Sequence, residues 1–250
     1  MALDILVIPD PQVKEDVPTD HLAAAGRYAV WSRPDVIVFI GDVCDTPSLS
    51  RYNTAKETHN LTLKGDIGAA IAGLMRFLAP IRKARGYNPR LVICSGNHEP
   101  SVRIKRLIED HPELDGSIID KFEAFLGNQG FEIIPFLEVI DIEGIRFSHY
   151  HQNPSSVKGA PVGGMIETAI KNVGYSFVGG HTQGLKMGKR YLSDGTVHIG
   201  VVCGSFYMHK EGFMGVQGNN HWHGVVSLNN ASNGDADISE VSLRTLLELY

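Results

Sequence analysis

Leu91-Val92-Ile93-Cys94 runs straight into Ser95-Gly96-Asn97-His98-Glu99. An apolar run with β-branched residues at its centre stops at a small-residue turn. A strand covered on both faces ends in this way, with polar side chains delivered just past its carboxyl end. Two earlier stretches repeat the pattern: residues 3–8 close at Pro9-Asp10, and residues 36–40 close at Gly41-Asp42. Between them, Thr19 or Asp20 is placed to cap a helix running to about Trp31, and Pro34 separates that helix from the next run. Between the second and third runs, residues 65–85 carry Ile67, Ile71, Leu74, Leu78 and Ile81 at helical spacing, and Pro80 is expected to kink or end the helix. A strand–helix–strand–helix–strand order implies parallel pairing through right-handed crossovers, so the fold class is α/β.

Further along, helices are expected near 101–109 and 116–126. Short strands follow at 133–134, 138–142, 145–148, 176–178, 198–202 and 224–228, with one helix near 164–173. They read as a mixed sheet packed on the first half. Residues 229–237 are polar and read as a loop before a last strand and a terminal tail. Residues 243–250 are able to pack internally or against a second copy. With no linker or repeat in view, residues 1–250 read as one domain.

The 250 residues are 43% hydrophobic and 20% charged, enough for a sizeable core. The net charge of −5, with no run of Lys or Arg, argues against a protein that grips duplex phosphates by charge alone. A nuclease stays open, because bound cations supply positive charge locally. The three cysteines, Cys44, Cys94 and Cys203, form no CxxC pair, which fits a reducing compartment. The first apolar run lacks a basic leader and is too short for a signal peptide or a membrane span. The expectation is a soluble, cytoplasmic protein with no membrane partner.

Chemistry-bearing residues collect past the strand ends: Asp10; Asp42 and Asp45; Asn97, His98 and Glu99; His149 and His151; His181 and Gln183. In α/β sheets ligands bind beyond the carboxyl ends of the strands. Alone, each has an ordinary structural reading: Asp10 as a turn residue, Asn97 as a helix cap, His149 as a satisfied core histidine. Five such clusters in this order are hard to explain as turns.

These stretches resemble the calcineurin-like metallophosphoesterase superfamily, whose pattern is D-x-H, GD-x-x-D, GNH-D/E, a later H, and GH-x-H. The matching residues are Asp10-Pro11-Gln12, Gly41-Asp42-Val43-Cys44-Asp45, Gly96-Asn97-His98-Glu99, His149 and Gly180-His181-Thr182-Gln183. The resemblance runs from the first strand to about residue 205. Gly163-Gly164-Met165-Ile166-Glu167 and Gly204-Ser205-Phe206-Tyr207 are similar to phosphoesterases of bacteriophage and prophage genomes. The resemblance implies a four-layer sandwich of two mixed β-sheets flanked by helices. It implies Asp42 as a carboxylate bridging two metals, with Asn97, His149 and His181 completing one. The other would be held by Asp10, Gln12 and Gln183. At those last two positions the family has histidine. Two amide oxygens in place of two imidazoles should favour manganese, magnesium or calcium over zinc or iron. The expected cofactors are therefore two divalent cations, manganese first, with zinc, iron or magnesium as alternatives. Weak or absent binding at the glutamine half is the other reading.

The resemblance also implies the chemistry. Two cations roughly 3.5–4 Å apart clamp a phosphoryl group and acidify a water that attacks phosphorus in line. His98 contacts the phosphate and protonates the leaving oxygen, while Asp45 and Glu99 orient the ligands. The expected activity is a phosphodiesterase or nuclease acting on nucleotides or nucleic acid. The alternatives are a phosphomonoesterase, including a protein phosphatase, or a non-catalytic scaffold that has lost one metal. Weaker candidates are His151 as a ligand, and Arg51, Arg103 and Lys105 as phosphate contacts. His209, His221, Trp222 and His223 mark a segment that would either stack an aromatic group over the site or simply pack. The oligomeric state is left open.

Overall fold

The computed structural model describes residues 2–211 and 215–250. Its centre is built from the apolar runs. β1 (Leu3–Ile8), β2 (Val36–Phe39), β3 (Arg90–Cys94) and β4 (Phe131–Ile134) lie side by side and parallel. α1 (Asp20–Ser32) links β1 to β2, and α2 (Ala55–Thr58) and α3 (Leu63–Lys83) fall between β2 and β3. α4 (Pro100–Asp110) and α5 (Lys121–Asn128) fall between β3 and β4. Every residue of β2 is buried, as its unbroken Val-Ile-Val-Phe run requires of a strand covered on both faces. Pairing is in step, with Ile5 opposite Val36 and Ile8 opposite Phe39, so the strands end level and their polar loops emerge together.

The second half divides between two sheets. β5 (Ile140–Ile142), β6 (Ile145–Phe147), β7 (Phe177–Gly179), β8 (Leu185–Tyr191) and β9 (Val197–Cys203) form a mixed sheet in the order β5-β6-β7-β9-β8. α6 (Ile166–Val173) precedes β7, and α7 (Gly215–Gly218) is a single turn after β9. β10 (Gly224–Ser232) and β11 (Asp235–Ser242) join the first sheet instead, β10 antiparallel to β1, and α8 (Leu243–Leu249) closes the chain.

Alternation along each strand sets up three apolar layers. Leu6, Ile8, Ile37, Phe39 and Ile93 face α1, α3, α5 and α8. Ile5, Val7, Val38, Ile40 and Val92 face Phe147, Val178, Ile199 and Val201 of the second sheet. Ile166, Ala169 and Ile170 of α6 cover Phe177 and Val202 on that sheet's far side. The result is the helix–sheet–sheet–helix sandwich expected.

Several expectations are corrected. Pro80 does not end α3, which runs on to Lys83. The helix expected from 116 starts at Lys121, where Asp120 accepts from the N–H groups of Phe122 and Glu123. β8 was not foreseen, because its Lys- and Gly-containing sequence lacks an apolar run. Residues 229–237 are not a loop: they are the ends of β10 and β11 around a turn at Asn233 and Gly234, with φ of 49° and 82°. Two consecutive positive φ values make the tight turn that matches strand twist. The terminal segment packs internally, with the Tyr250 ring 5.3 Å from Tyr28 and 5.8 Å from Trp31. All three cysteines are buried and unpaired. Among the described residues, no helix is long and apolar enough to cross a membrane.

Candidate active site

The loops that leave β1 and β2 continue to pair. Gln12 N–H donates to Asp42 O at 2.8 Å, Val13 N–H to Val43 O at 2.9 Å, and Asp45 N–H to Val13 O at 2.9 Å. This ladder holds Asp10, Gln12, Asp42 and Asp45 in one wall. Asp10, Gln12, Asp42, His181 and Gln183 all have φ between 32° and 67°. Non-glycine residues in that left-handed region cost on the order of 1–2 kcal/mol each, so surrounding contacts must hold them there. Two glycines make the approach possible. A Cβ on Gly96 would lie 2.1 Å from Asp42 Oδ1, and one on Gly180 would lie 2.5 Å from Asp10 Oδ1.

One ligand atom each of Asp42, His149 and His181 lies within 4.8 Å of the others, a group able to hold a metal ion. His149 is fully buried. Its Nδ1–H donates to Ile40 O at 2.9 Å, which turns Nε2 toward Asp42 Oδ2 at 3.4 Å and Asn97 Oδ1 at 3.1 Å. Asp10 is also fully buried. Its Oδ2 accepts from His181 N–H at 2.8 Å, while Oδ1 has no hydrogen-bond partner. An orphaned carboxylate oxygen in the interior is costly unless a cation completes it.

The electrostatics agree. Burial pushes the Asp10 carboxyl up to about 8, against the pull of His149. Burial also opposes ionisation of Asp42, but the imidazoles of His149 and His98 outweigh it and hold that carboxyl well below the usual range. Burial disfavours charge on His149, yet the Asp42 carboxylate overrides it and raises the imidazole to about 10. Burial, reinforced by His149, lowers His181 to about 4. Without metal, a proton on His149 supplies the positive charge that the carboxylates demand.

Glu99 ties the second and third loops together, accepting from the N–H groups of Asp42 at 3.1 Å, Val43 at 2.7 Å and Gly96 at 2.7 Å. His98 Nδ1 lies 2.7 Å from Asp45 Oδ1, and its Nε2 lies 4.0 Å from Asp42 Oδ2. Burial works against charge on His98, but Asp42 and the Asp45 contact raise its pKa above the ordinary value. Asp45 is held in turn by Lys14 at 3.3 Å and Arg103 at 3.8 Å. Gln12, Gln183, Asp42, His98 and His181 line one cavity of about 450 Å³. Gln183 Oε1 accepts from the buried Tyr207 hydroxyl at 2.9 Å. A carbonyl oxygen has a second lone pair, so this contact orients the amide and leaves it free to bind a cation.

The structure thus gathers Asp10, Gln12, Asp42, Asn97, His98, His149, His181 and Gln183 at one end of the sandwich. It does not bring in His151, whose ring is buried against Val178 O at 3.2 Å and the Tyr175 hydroxyl at 3.3 Å. Trp222 is also excluded: its ring packs on Gly204 and Gly224, so it does not stack over the site. His221 and His223 are tied to Ser205 Oγ at 2.8 and 3.1 Å. Lys105 faces a different surface of α4, and Arg106 takes its place beside Arg51 and Arg103. The i, i+3 spacing of Arg103 and Arg106 was the available signal for that. Tyr207 carried none, since its contact with Gln183 depends on the tertiary fold.

Fold and site together define a class by geometry: a two-sheet α/β sandwich with a candidate divalent-metal site past its strand ends. No protein-family model matches the chain. It is similar to the Gene 54 protein of Mycobacterium phage D29, with 29% identity over 197 residues, 74% of this chain and 72% of that one. Among solved structures it is similar to Yfce, a phosphoesterase from E. coli, with 15% identity, 96% and 99% of the two chains covered and a TM-score of 0.43. It is also similar to a dimetal phosphatase from Danio rerio, with 11% identity, coverage of 97% and 99%, and a TM-score of 0.40. For the purple acid phosphatase PPD1 of yellow lupin the identity is 14% and the TM-score 0.38, and this chain, 99% covered, spans about half (55%) of that one.

Proposed function

We propose that this chain is a metal-dependent phosphoric ester hydrolase that cleaves a phosphodiester in a nucleotide or nucleic acid. The observation that carries the reading is the convergence of Asp42, Asn97, His149 and His181 on one point, with the orphaned Asp10 oxygen beside it. In this reading Asp42, Asn97, His149 and His181 would hold one divalent cation, and Asp42 with Asp10, Gln12 and Gln183 would hold a second. The donor set fits: neutral amide and carboxylate oxygens on one side suit manganese or magnesium, and imidazoles on the other accept softer ions. Cations bound there would neutralise phosphoryl oxygens and provide an acidified water as the nucleophile.

The chain's own residues supply the rest. His98 is held by Asp45, and Asp42 and Asp45 raise its pKa above the ordinary value; in this reading it presents Nε2 to the cavity, where it donates to the leaving oxygen. Glu99 and the Ile40 carbonyl keep Asp42 and His149 in orientation. A diester is favoured because the cavity adjoins a second one across His98, giving room on the leaving side that a simple monoester does not need.

The test is to load metal-stripped protein with manganese, magnesium or zinc and follow a nitrophenyl phosphomonoester and a bis-nitrophenyl phosphodiester. Turnover with manganese, greater on the diester, is expected, and His98→Ala and Asn97→Ala should each lose about 100-fold or more. No turnover of either ester with any metal would overturn the reading in favour of a non-catalytic scaffold. Gln12→His combined with Gln183→His should move the metal optimum toward zinc or iron if the glutamines set metal choice.

A further inference from the structure

The second cavity, about 310 Å³, opens on the far side of His98, and Ser50, Tyr52, His98 and Arg103 line both compartments. Its helical wall is α4, which turns Arg103, Arg106, Leu107 and Asp110 toward it at i, i+3, i+4 and i+7 spacing. Its opposite wall is the segment after β2, carrying Arg51 and Tyr52. The Tyr52 ring is 87% exposed at the junction of the compartments, with the Arg51 guanidinium carbon 6.0 Å from its centroid.

The charges are unevenly committed. Asp45 is taken by His98, Lys14 and Arg103, and Glu211 by Lys14 and His209. Among the described residues, neither Arg51 nor Arg106 has a carboxylate within 4.0 Å, although Arg106 is half-buried. Asp110 also lines the compartment, unpaired with either arginine. A half-buried guanidinium without an anion is a site for one, and planar guanidinium matches phosphate oxygens.

We infer that this compartment is a subsite for single-stranded nucleic acid on the leaving-group side. Arg51 and Arg106 hold the phosphate next to the one hydrolysed, and the exposed Tyr52 ring stacks a base between them. The inference rests on the phosphodiesterase reading above. Two guanidiniums and an exposed aromatic ring lining one compartment offer a nucleotide strand partners for a phosphate and its neighbouring base. A duplex would hide its base faces from Tyr52, and the net charge of −5 leaves no broad basic surface to grip one.

Fluorescence anisotropy of fluorescein-labelled hexathymidylate with the full chain, in chelator, tests the subsite without turnover. The combined Arg51→Ala, Arg106→Ala variant should bind about tenfold or more weaker. Its slope of log affinity against log salt should be shallower by about 0.7, the effect of one single-strand phosphate no longer neutralised. Tyr52→Ala should weaken binding roughly fivefold or more and Tyr52→Phe should restore it, because the ring face is what stacks. Wild-type-like binding and salt slope in the arginine variant overturn the subsite. So does a labelled phosphoserine peptide that binds more tightly with the same arginine dependence, which would assign the compartment to a protein partner. Manganese-dependent turnover of the bis-nitrophenyl diester is measured separately. Its loss with oligonucleotide binding intact removes the hydrolase reading, and the converse removes the subsite alone.

Discussion

Glu99 receives three backbone N–H groups, from Asp42, Val43 and Gly96, and has no exposed face. Burial, with Asp42 adding to it, pushes its carboxyl up to about 7, so the bonds it accepts are what make an acid there tolerable. Glu99→Gln keeps the shape and turns one acceptor into a donor facing an N–H. Metal affinity should fall about 10–100-fold, read by calorimetric titration, while the circular dichroism spectrum stays that of wild type. Gly96→Ala should be harsher, since the added methyl would lie 2.1 Å from Asp42 Oδ1. Loss of metal binding in a protein that still folds is the expected outcome. Metal affinity equal to wild type would show that the Gly96–Asp42 approach is not required.

At the scale of elements, the site exists because β1, β2 and β3 end level and the loops beyond β1 and β2 keep pairing. The segment after β9 adds a less obvious part. Tyr207 is buried, stacks on His209 at a centroid distance of 4.6 Å, and donates its hydroxyl to Gln183. An amide whose oxygen is not held can rotate and present its NH₂ to a cation instead. Tyr207→Phe should therefore weaken the metal bound at the glutamine half by about tenfold and leave the His149 half nearly unaffected. Two-site calorimetric titration with manganese separates the halves. Equal weakening at both would point to a general packing defect.

For the whole molecule, two histidines outside the ligand set are buried in different layers. His21 packs edge-on against Phe206 at 4.9 Å with both ring nitrogens unpartnered, and His151 lies under Tyr175. Burial, aided for His21 by His209, lowers both to about 4, against an unfolded value near 6.5. Below that unfolded value the unfolded chain binds more protons, so stability is complete above it and falls as pH drops toward 4. Each histidine contributes up to about 3 kcal/mol of that loss. Urea unfolding in chelator between pH 7 and 4.5 should show the decline. His181 and His223 are lowered to about 4 as well, so His21→Phe should remove only part of it, and an unchanged pH slope in that variant would count against the account.

What the sequence determined by itself is whatever depends on near neighbours. Unbroken β-branched runs specified buried parallel strands, and glycines beside Asp42, Asn97 and His181 marked where side chains turn outward, because burial on two faces and sharp turns need those residues locally. The alternation of elements implied the α/β class, and the family resemblance implied the helix–sheet–sheet–helix order. The tertiary structure decided what depends on partners far along the chain. The hairpin of β10 and β11 joined the first sheet because β1 had an open edge, which no local pattern reveals. His151 turned into the core while His149, two residues away, turned to Asp42, and Arg106 reached the cleft where Lys105 did not. Those choices are made by register and by which face of an element meets its neighbour. They separate the histidines and arginines gathered at the cleft from those that only pack.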